Sequence, residues 1–155
     1  TLIQTVKKKK DQLNIPHAIY GSYHVYMRNH IDKFLIYCFK QFKRVILWTA
    51  ATHDYGQTIT SLLMSMIGDQ DFSFYKVITR DTYGTTTKDI DNIKHDEEID
   101  GKPIYFVDDI AQRIKNLDSQ YILIAQPYKY NDLNDDYLNE LIEILEGICL
   151  SLEIK

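Results

Sequence analysis

The chain has 155 residues, of which 45% are hydrophobic and 26% are charged, and its formal net charge is −4. This length and composition predict a single globular domain over residues 1–155 with a substantial core, and the acidic balance argues against a general nucleic-acid binder. No apolar run approaches the ~20 residues of a membrane span, and two cysteines are too few for a disulfide-based secreted scaffold. We therefore expect an intracellular protein, nuclear or cytoplasmic, that contacts neither membrane nor nucleic acid directly.

Three segments have the apolar spacing of an amphipathic helix. In residues 31–42, apolar side chains recur three and four positions apart and so share one face. Residues 54–67 have the same spacing and are followed by Gly68, a typical helix end. A last helix is expected after a cap at Asn134 or Asp135. Its apolar face consists of Leu138, Leu141, Ile142, Leu145 and Ile148.

Short apolar runs predict strands that are buried on both faces. The runs are VILW at 45–48, FSFYKVIT at 72–79, IYFV at 104–107 and YILIA at 121–125. Residues 80–103 are predicted to be mostly loop and residues 110–117 a short helix. The basic run Lys7–Lys10 is interpreted as a solvated loop, with contact to a phosphorylated or acidic partner as the alternative. Strands that alternate with helices predict an α/β domain with a mostly parallel sheet and helices on both faces.

In such a sheet, sites form at the carboxyl ends of the strands. Thr49 follows the first run, and Arg80 and Lys88 come after the second. The third run ends in Asp108 and Asp109. Carboxylates hold Mg²⁺, a lysine neutralises phosphoryl oxygens and a hydroxyl donates to one of them, so the set predicts a phosphoryl group bound with a divalent metal ion. Taken singly, each residue has a plainer interpretation as a cap or a surface cation.

Five stretches, in the same order, resemble the small carboxy-terminal-domain phosphatases, the NLI-interacting-factor-like family of the haloacid dehalogenase superfamily. The stretches are YHVYMRNHIDKFL at 23–35, VILWTAATHDYGQTI at 45–59, VITRDTYGTTTKDI at 77–90, IYFVDD at 104–109 and DDYL at 135–138. Arg28, His30 and Asp32 match the family pattern. Asn29 replaces a proline, and Tyr83 stands where cysteine is usual. The resemblance extends over almost the whole chain.

The resemblance implies the three-layer, Rossmann-like haloacid dehalogenase fold and a Mg²⁺-dependent phosphoserine/phosphothreonine protein phosphatase that acts through an aspartyl-phosphate. Thr49 would donate to a phosphoryl oxygen, and Lys88 would neutralise negative charge. Asp109 would be the metal ligand with Asp108 beside it, and Arg80 would help to bind the substrate. The expected partner is a phosphoprotein, with the carboxy-terminal tail of RNA polymerase II as a candidate.

The family begins with a strand that ends in D-x-D-x-T, in which the first Asp is the nucleophile and the second is the general acid and base. TLIQT at 1–5 resembles the end of this motif, with Thr1 as its catalytic threonine, and no D-x-D-x-[TV] occurs in the chain. Two explanations stay open. Either the chain is N-terminally truncated and the first strand lies upstream of Thr1, or the protein is a catalytically inactive phosphatase-like scaffold or binding protein.

Overall fold

The computed structural model describes residues 1–7, 18–68 and 71–153; Lys8–Lys10 of the basic run lie outside these ranges. The strands in chain order are β1 (Ile3–Lys7), β2 (Ala18–Tyr20), β3 (Tyr23–Met27), β4 (Ile46–Trp48), β5 (Lys76–Ile78), β6 (Lys88–Asp89), β7 (Phe106–Asp108), β8 (Ile114–Lys115) and β9 (Ile122–Ile124). The helices are α1 (Ile31–Gln41), α2 (His53–Ile67), α3 (Arg80–Tyr83), α4 (Asp91–Lys94) and α5 (Tyr137–Glu153). Within the described part of the chain, no helix is both long and apolar enough to cross a lipid bilayer.

The protein has a mixed α/β fold whose chain divides into two compact units. The first unit contains Thr1 and Phe42–Gln126, and the second contains Leu2–Gln41 and Pro127–Lys155. The first unit holds three parallel strand pairs, whereas the second holds an antiparallel sheet. The single domain expected over residues 1–155 stays a prediction.

The second unit is built on an antiparallel sheet in the order β1-β3-β2, which differs from the mostly parallel sheet that the sequence predicts. The antiparallel arrangement follows from the chain itself, because only two residues join β2 to β3 and a parallel pair needs a long crossover. Gly21, with φ of +57°, lies in this turn, where a side chain would be strained. The amphipathic helices α1 and α5 pack against each other in this unit. Their buried residues are Ile31, Phe34, Leu35, Cys38, Tyr137, Leu138, Leu141 and Leu145, which confirms the predicted apolar faces.

A buried guanidinium group fixes the start of α5. Arg28 is 2% exposed, and its Nε and Nη2 atoms each donate to the carboxylate of Asp135 at 2.7 Å. The guanidinium carbon lies 4.5 Å from the ring centroid of Tyr137 and 5.7 Å from that of Tyr128. The side-chain amide of Asn29 donates to the Asp135 carbonyl at 3.1 Å. This paired, stacked cation explains why an arginine occupies position 28 just before α1.

We expect Asp135→Ala to lower the free energy of unfolding by about 3–5 kcal/mol, because it removes the carboxylate that pairs with the buried Arg28 charge. Asp136→Ala is the matched control, since this carboxylate is exposed and pairs with His30 at 3.0 Å. Its loss should cost about 1 kcal/mol. Urea unfolding measures both values, and equal losses would contradict the role given to the Arg28–Asp135 pair.

The first unit consists of short parallel strand pairs around an isoleucine-rich core. β4 pairs with β5, β6 with β8, and β7 with β9, all in parallel. The core cluster contains Ile78, Ile90, Ile93, Ile99 and Ile114, with Trp48 and Phe106 among the side chains packed against it. Because the strands are parallel, the carboxyl ends within each pair lie at the same edge, as the sequence predicts.

The segment 80–103 is mostly loop, as predicted, and α3, β6 and α4 are its short regular elements. One prediction for the first unit is wrong. The expected helix at 110–117 is instead a 3₁₀ turn, Ala111–Arg113, followed by β8. The helix is not formed because Ile114 leaves the turn to pair with Lys88 of β6 and to enter the core.

An ion-pair cluster lies at the start of β5 in the first unit. Lys76 forms a salt bridge with Asp96, and the Tyr75 hydroxyl donates to the two Asp96 oxygens at 2.9 and 3.0 Å. The hydrogen bond from Lys76, followed by those from the Glu98 backbone N–H and Tyr75, lowers the pKa of Asp96 from 3.8 to about 2. Ionised Asp96 therefore stabilises the folded protein above pH 3.8, and this contribution is lost as the pH falls toward about 2.

We therefore expect wild-type protein to lose more stability between pH 4 and pH 2 than Asp96→Asn, which has no charge to lose there. Asp100→Asn, on an exposed neighbouring carboxylate, should follow the wild-type pH dependence. The measurement is the urea midpoint at each pH, and parallel curves for wild type and Asp96→Asn would show that Asp96 does not contribute.

Candidate active site

The carboxyl end of β7 carries a buried ion pair. Asp108 is 3% exposed and Lys88 is 8% exposed. The Lys88 ammonium donates to Oδ2 of Asp108, and the backbone N–H of Ile110 donates to Oδ1 at 3.0 Å. Both carboxylate oxygens are thus engaged, which compensates the desolvation of the charge. The predicted lysine and one of the two predicted carboxylates are therefore in direct contact.

The neighbouring carboxylate, Asp109, has a different environment. Its side chain is 28% exposed, and its Oδ1 accepts a hydrogen bond from the Thr1 hydroxyl at 3.0 Å. Asp109 lies just past Asp108, the last residue of β7, and the two side chains interact, so the aspartates differ in exposure and in partners but belong to one cluster. The structure thus places Thr1 beside Asp109 and Lys88 beside Asp108.

The loops after β4 and β5 hold the other two predicted residues, Thr49 and Arg80. The Thr49 N–H donates to the Ile78 carbonyl at 2.8 Å, and the Arg80 N–H donates to the Ala51 carbonyl at 2.9 Å. Ala51 in turn donates through its N–H to Oγ1 of Thr49 at 3.1 Å. Hydrogen bonds through Ala51 therefore tie the hydroxyl of Thr49 to the backbone of Arg80. The Arg80 side chain is 47% exposed, and its Nε lies 3.9 Å from Asp81.

Aromatic rings connect the strands that carry these residues. The centroids of Trp48 and Phe106 are 5.9 Å apart, and the Lys88 ammonium lies 5.5 Å from the Phe106 centroid. Trp48 directly precedes Thr49, and Phe106 begins the strand that ends in Asp108. Trp48 and Phe106 both pack against the isoleucine core of the first unit. The same core therefore positions Thr49, Lys88 and Asp108.

A hydrogen bond between Asn116 and Asp89, the residue next to Lys88, joins the ends of β6 and β8 and was not identified from the sequence. The side-chain amide of Asn116 donates to Oδ1 of Asp89 at 2.7 Å, and the same oxygen accepts from the N–H of Asp91 at 3.0 Å. These two hydrogen bonds, the one from Asn116 first, lower the pKa of Asp89. Asn116 has φ of +59°, a left-handed conformation that asparagine tolerates better than most residues. An asparagine that follows a two-residue strand offers no pattern by which to find this role.

The site suits a metal ion that keeps much of its water. Mg²⁺ usually binds to one or two carboxylates together with waters and substrate phosphates. Asp109 fits as such a ligand because it is partly exposed at a strand end, whereas both oxygens of Asp108 already accept hydrogen bonds. In the described ranges, no group of three or more His, Cys, Asp or Glu side chains is arranged to hold a metal. The donor set thus fits a hydrated Mg²⁺ and does not form a complete protein cage.

Thr49 and the two aspartates at the carboxyl ends of parallel strands, together with Lys88 at the start of β6, form a set typical of α/β proteins that handle phosphoryl groups. Residues 1–153 match the family of NLI interacting factor-like phosphatases. The chain therefore belongs to the NLI interacting factor-like phosphatase family. No curated protein matches the chain.

We expect Lys88→Met to lower the free energy of unfolding by about 3–5 kcal/mol, because it leaves the buried Asp108 charge without its cation. Lys94→Met is the matched control, since Lys94 pairs with Asp91 at 2.7 Å between two half-exposed side chains, and its loss should cost about 1 kcal/mol or less. Urea unfolding compares the two variants. A Lys88→Met protein as stable as Lys94→Met would rule out a strong Lys88–Asp108 interaction.

Proposed function

We propose that this protein is a Mg²⁺-dependent phosphoserine/phosphothreonine protein phosphatase with the three-layer haloacid dehalogenase fold. The observation that carries the proposal is the buried Lys88–Asp108 pair next to the more exposed Asp109. In this proposal the substrate is an intracellular phosphoprotein, nuclear or cytoplasmic, and the carboxy-terminal tail of RNA polymerase II is the first candidate. Membership of the phosphatase family supports the activity.

The charges at the strand ends support the need for a divalent cation. Lys88 already faces Asp108, and Arg80 faces Asp81. Asp109 adds a further negative charge, while a phosphoryl monoester brings about −1.5 to −2 at pH 7. Without an added cation, the substrate would meet at least as much negative as positive charge, which disfavours binding. Mg²⁺ held by Asp109 would supply the missing positive charge and polarise a phosphoryl oxygen.

In this proposal the predicted residues have distinct roles. Lys88 keeps Asp108 in place and presents its positive charge toward the phosphoryl oxygens. Thr49 donates its hydroxyl proton to one of those oxygens, and Arg80, on an exposed helix start, contacts the substrate. Thr1 orients the Asp109 carboxylate through the observed hydrogen bond. The aspartyl-phosphate step needs a nucleophilic carboxylate, which we do not assign to any of the 155 residues.

A phosphatase-like scaffold is the second candidate function. The observation in its favour is that the chain contains no D-x-D-x-[TV]. A scaffold would bind a phosphorylated partner without releasing phosphate. Activity of the natural full-length protein therefore separates the two candidates.

We expect the natural full-length protein to release phosphate from serine- or threonine-phosphorylated peptides of the RNA polymerase II tail. This phosphate release should cease when EDTA removes Mg²⁺. With ³²P-labelled peptide, a short-lived protein label that hydroxylamine removes should mark the aspartyl-phosphate. Binding of phosphopeptide without phosphate release would instead favour the scaffold. Release that persists in EDTA would contradict the metal dependence.

A second prediction concerns the metal ligand. Asp109→Asn should raise the Mg²⁺ concentration for half-maximal activity by about tenfold or more, because it removes the charged ligand. Asp91→Asn, which changes an exposed carboxylate of the same unit, should leave this concentration unchanged. Asp108→Asn should lower stability without the same shift in Mg²⁺ dependence. If Asp108→Asn shifts the Mg²⁺ dependence as much as Asp109→Asn, the assignment to Asp109 is wrong.

A further inference from the structure

The tyrosine at position 83 lies between two residues of the candidate site. It follows Arg80 by three positions, precedes Lys88 by five, and is the last residue of α3. Tyr83 is 39% exposed, and it is the only large apolar residue between Arg80 and Lys88. The resemblance to the phosphatase family predicts a cysteine at this position. This chain therefore presents an exposed aromatic ring where the family usually has a much smaller side chain.

Two contacts hold the Tyr83 ring in place. Its centroid lies 6.1 Å from that of Trp48, the residue that directly precedes Thr49. At the far end of the side chain, the Tyr83 hydroxyl donates to the carbonyl of Asn92 at 3.4 Å. A side chain that is already held in one position loses little conformational freedom when a ligand packs against it, so its exposed surface is well suited to binding.

The helical turn α3 fixes the spacing between Arg80 and Tyr83. Residues three positions apart in a helical turn are neighbours, with Cβ atoms about 5–6 Å apart. The turn is closed at its start by the capping box of Thr79 and Thr82, and at its end by the Gly84 N–H, which donates to the Arg80 carbonyl. Arg80 and Tyr83 therefore form a cation and an aromatic ring at a set distance from each other.

The charges beside the ring decide which kind of side chain it can bind. The side chains of Arg80 and Asp81 are 47% and 52% exposed. Arg80 repels a cationic side chain of a ligand, and Asp81 repels an acidic one. A neutral apolar side chain meets neither repulsion, and it removes both its own surface and the exposed part of the Tyr83 ring from water.

The spacing also predicts where this apolar residue lies in a peptide. Successive residues of an extended chain are about 3.3 Å apart. With the phosphorylated residue beside Arg80, the distance of about 5–6 Å to Tyr83 corresponds to one or two residues along the peptide.

We propose that Tyr83 is a specificity-determining residue whose exposed ring binds an apolar side chain one or two positions from the phosphorylated serine or threonine of the substrate. The inference rests on the proposed function for the contact between Arg80 and the substrate. It narrows the substrate class to phosphopeptides that carry a bulky apolar residue close to the phosphorylated one.

The test measures peptide binding by the natural full-length protein in the presence of Mg²⁺. The peptides carry a phosphonate analogue of phosphoserine, which resists hydrolysis, between serine residues. In four further peptides, leucine replaces one serine, one or two positions away on either side. We expect the best leucine peptide to bind about five- to tenfold more tightly than the all-serine peptide. Tyr83→Ala should reduce this preference to less than about twofold, whereas Tyr83→Phe keeps the ring and should keep the preference.

Tyr121→Ala is the matched control. Tyr121 is a half-buried tyrosine of the same unit, and its ring lies 5.6 Å from that of Tyr105. This variant loses a comparable aromatic contact and should keep the wild-type preference for leucine. A variant that is merely less stable binds both kinds of peptide less well and leaves their ratio unchanged, so the ratio reports recognition rather than folding.

An NMR measurement on the wild-type protein covers the case in which Tyr83→Ala does not fold. Nuclear Overhauser effects should connect the leucine methyl protons of the bound peptide with the ring protons of Tyr83. Their absence from the complex with the best leucine peptide would overturn the inference. Equal binding of the leucine and serine peptides by wild type, or tighter binding of peptides with arginine in place of leucine, would also overturn it.

Phosphate release from the corresponding phosphoserine peptides separates this inference from the proposed function. If wild type prefers leucine through Tyr83 but releases no phosphate, the inference stands and the proposed phosphatase activity fails. If phosphate is released with no preference for leucine, the proposed function stands and the inference fails. If no phosphonate peptide binds, the inference fails as well.

Discussion

The buried contact between Lys88 and Asp108 is the interaction on which the candidate site depends. Removing two charges from water is unfavourable unless they meet each other with good geometry and further hydrogen bonds. The pair meets these conditions because Lys88 reaches one oxygen of Asp108 and the Ile110 N–H reaches the other. It also joins β6 to the end of β7, two elements that are not neighbours in a strand pair. With Asp108 neutralised in this way, Asp109 is the more exposed of the two carboxylates.

Much of the fold follows from periodicity, and the remainder depends on contacts that one sequence does not display. The apolar stripes of α1 and α5 predict these helices because each buries a face over three or more turns. Strands β6 and β8 have two residues each, too few for any alternation to be detected. The antiparallel sheet is likewise not predictable from periodicity, because it pairs residues that are far apart in the chain, such as Ile3 and Met27.

The rule that sites form at the carboxyl ends of parallel strands locates the candidate residues in the sequence. It does not predict the burial or the partners of each side chain. It identifies Thr49, Lys88 and the two aspartates, since each follows an apolar run in an α/β pattern. It cannot distinguish Asp108 from Asp109, because the difference lies in their burial and in their partners, Lys88 and Thr1, which come from other parts of the chain.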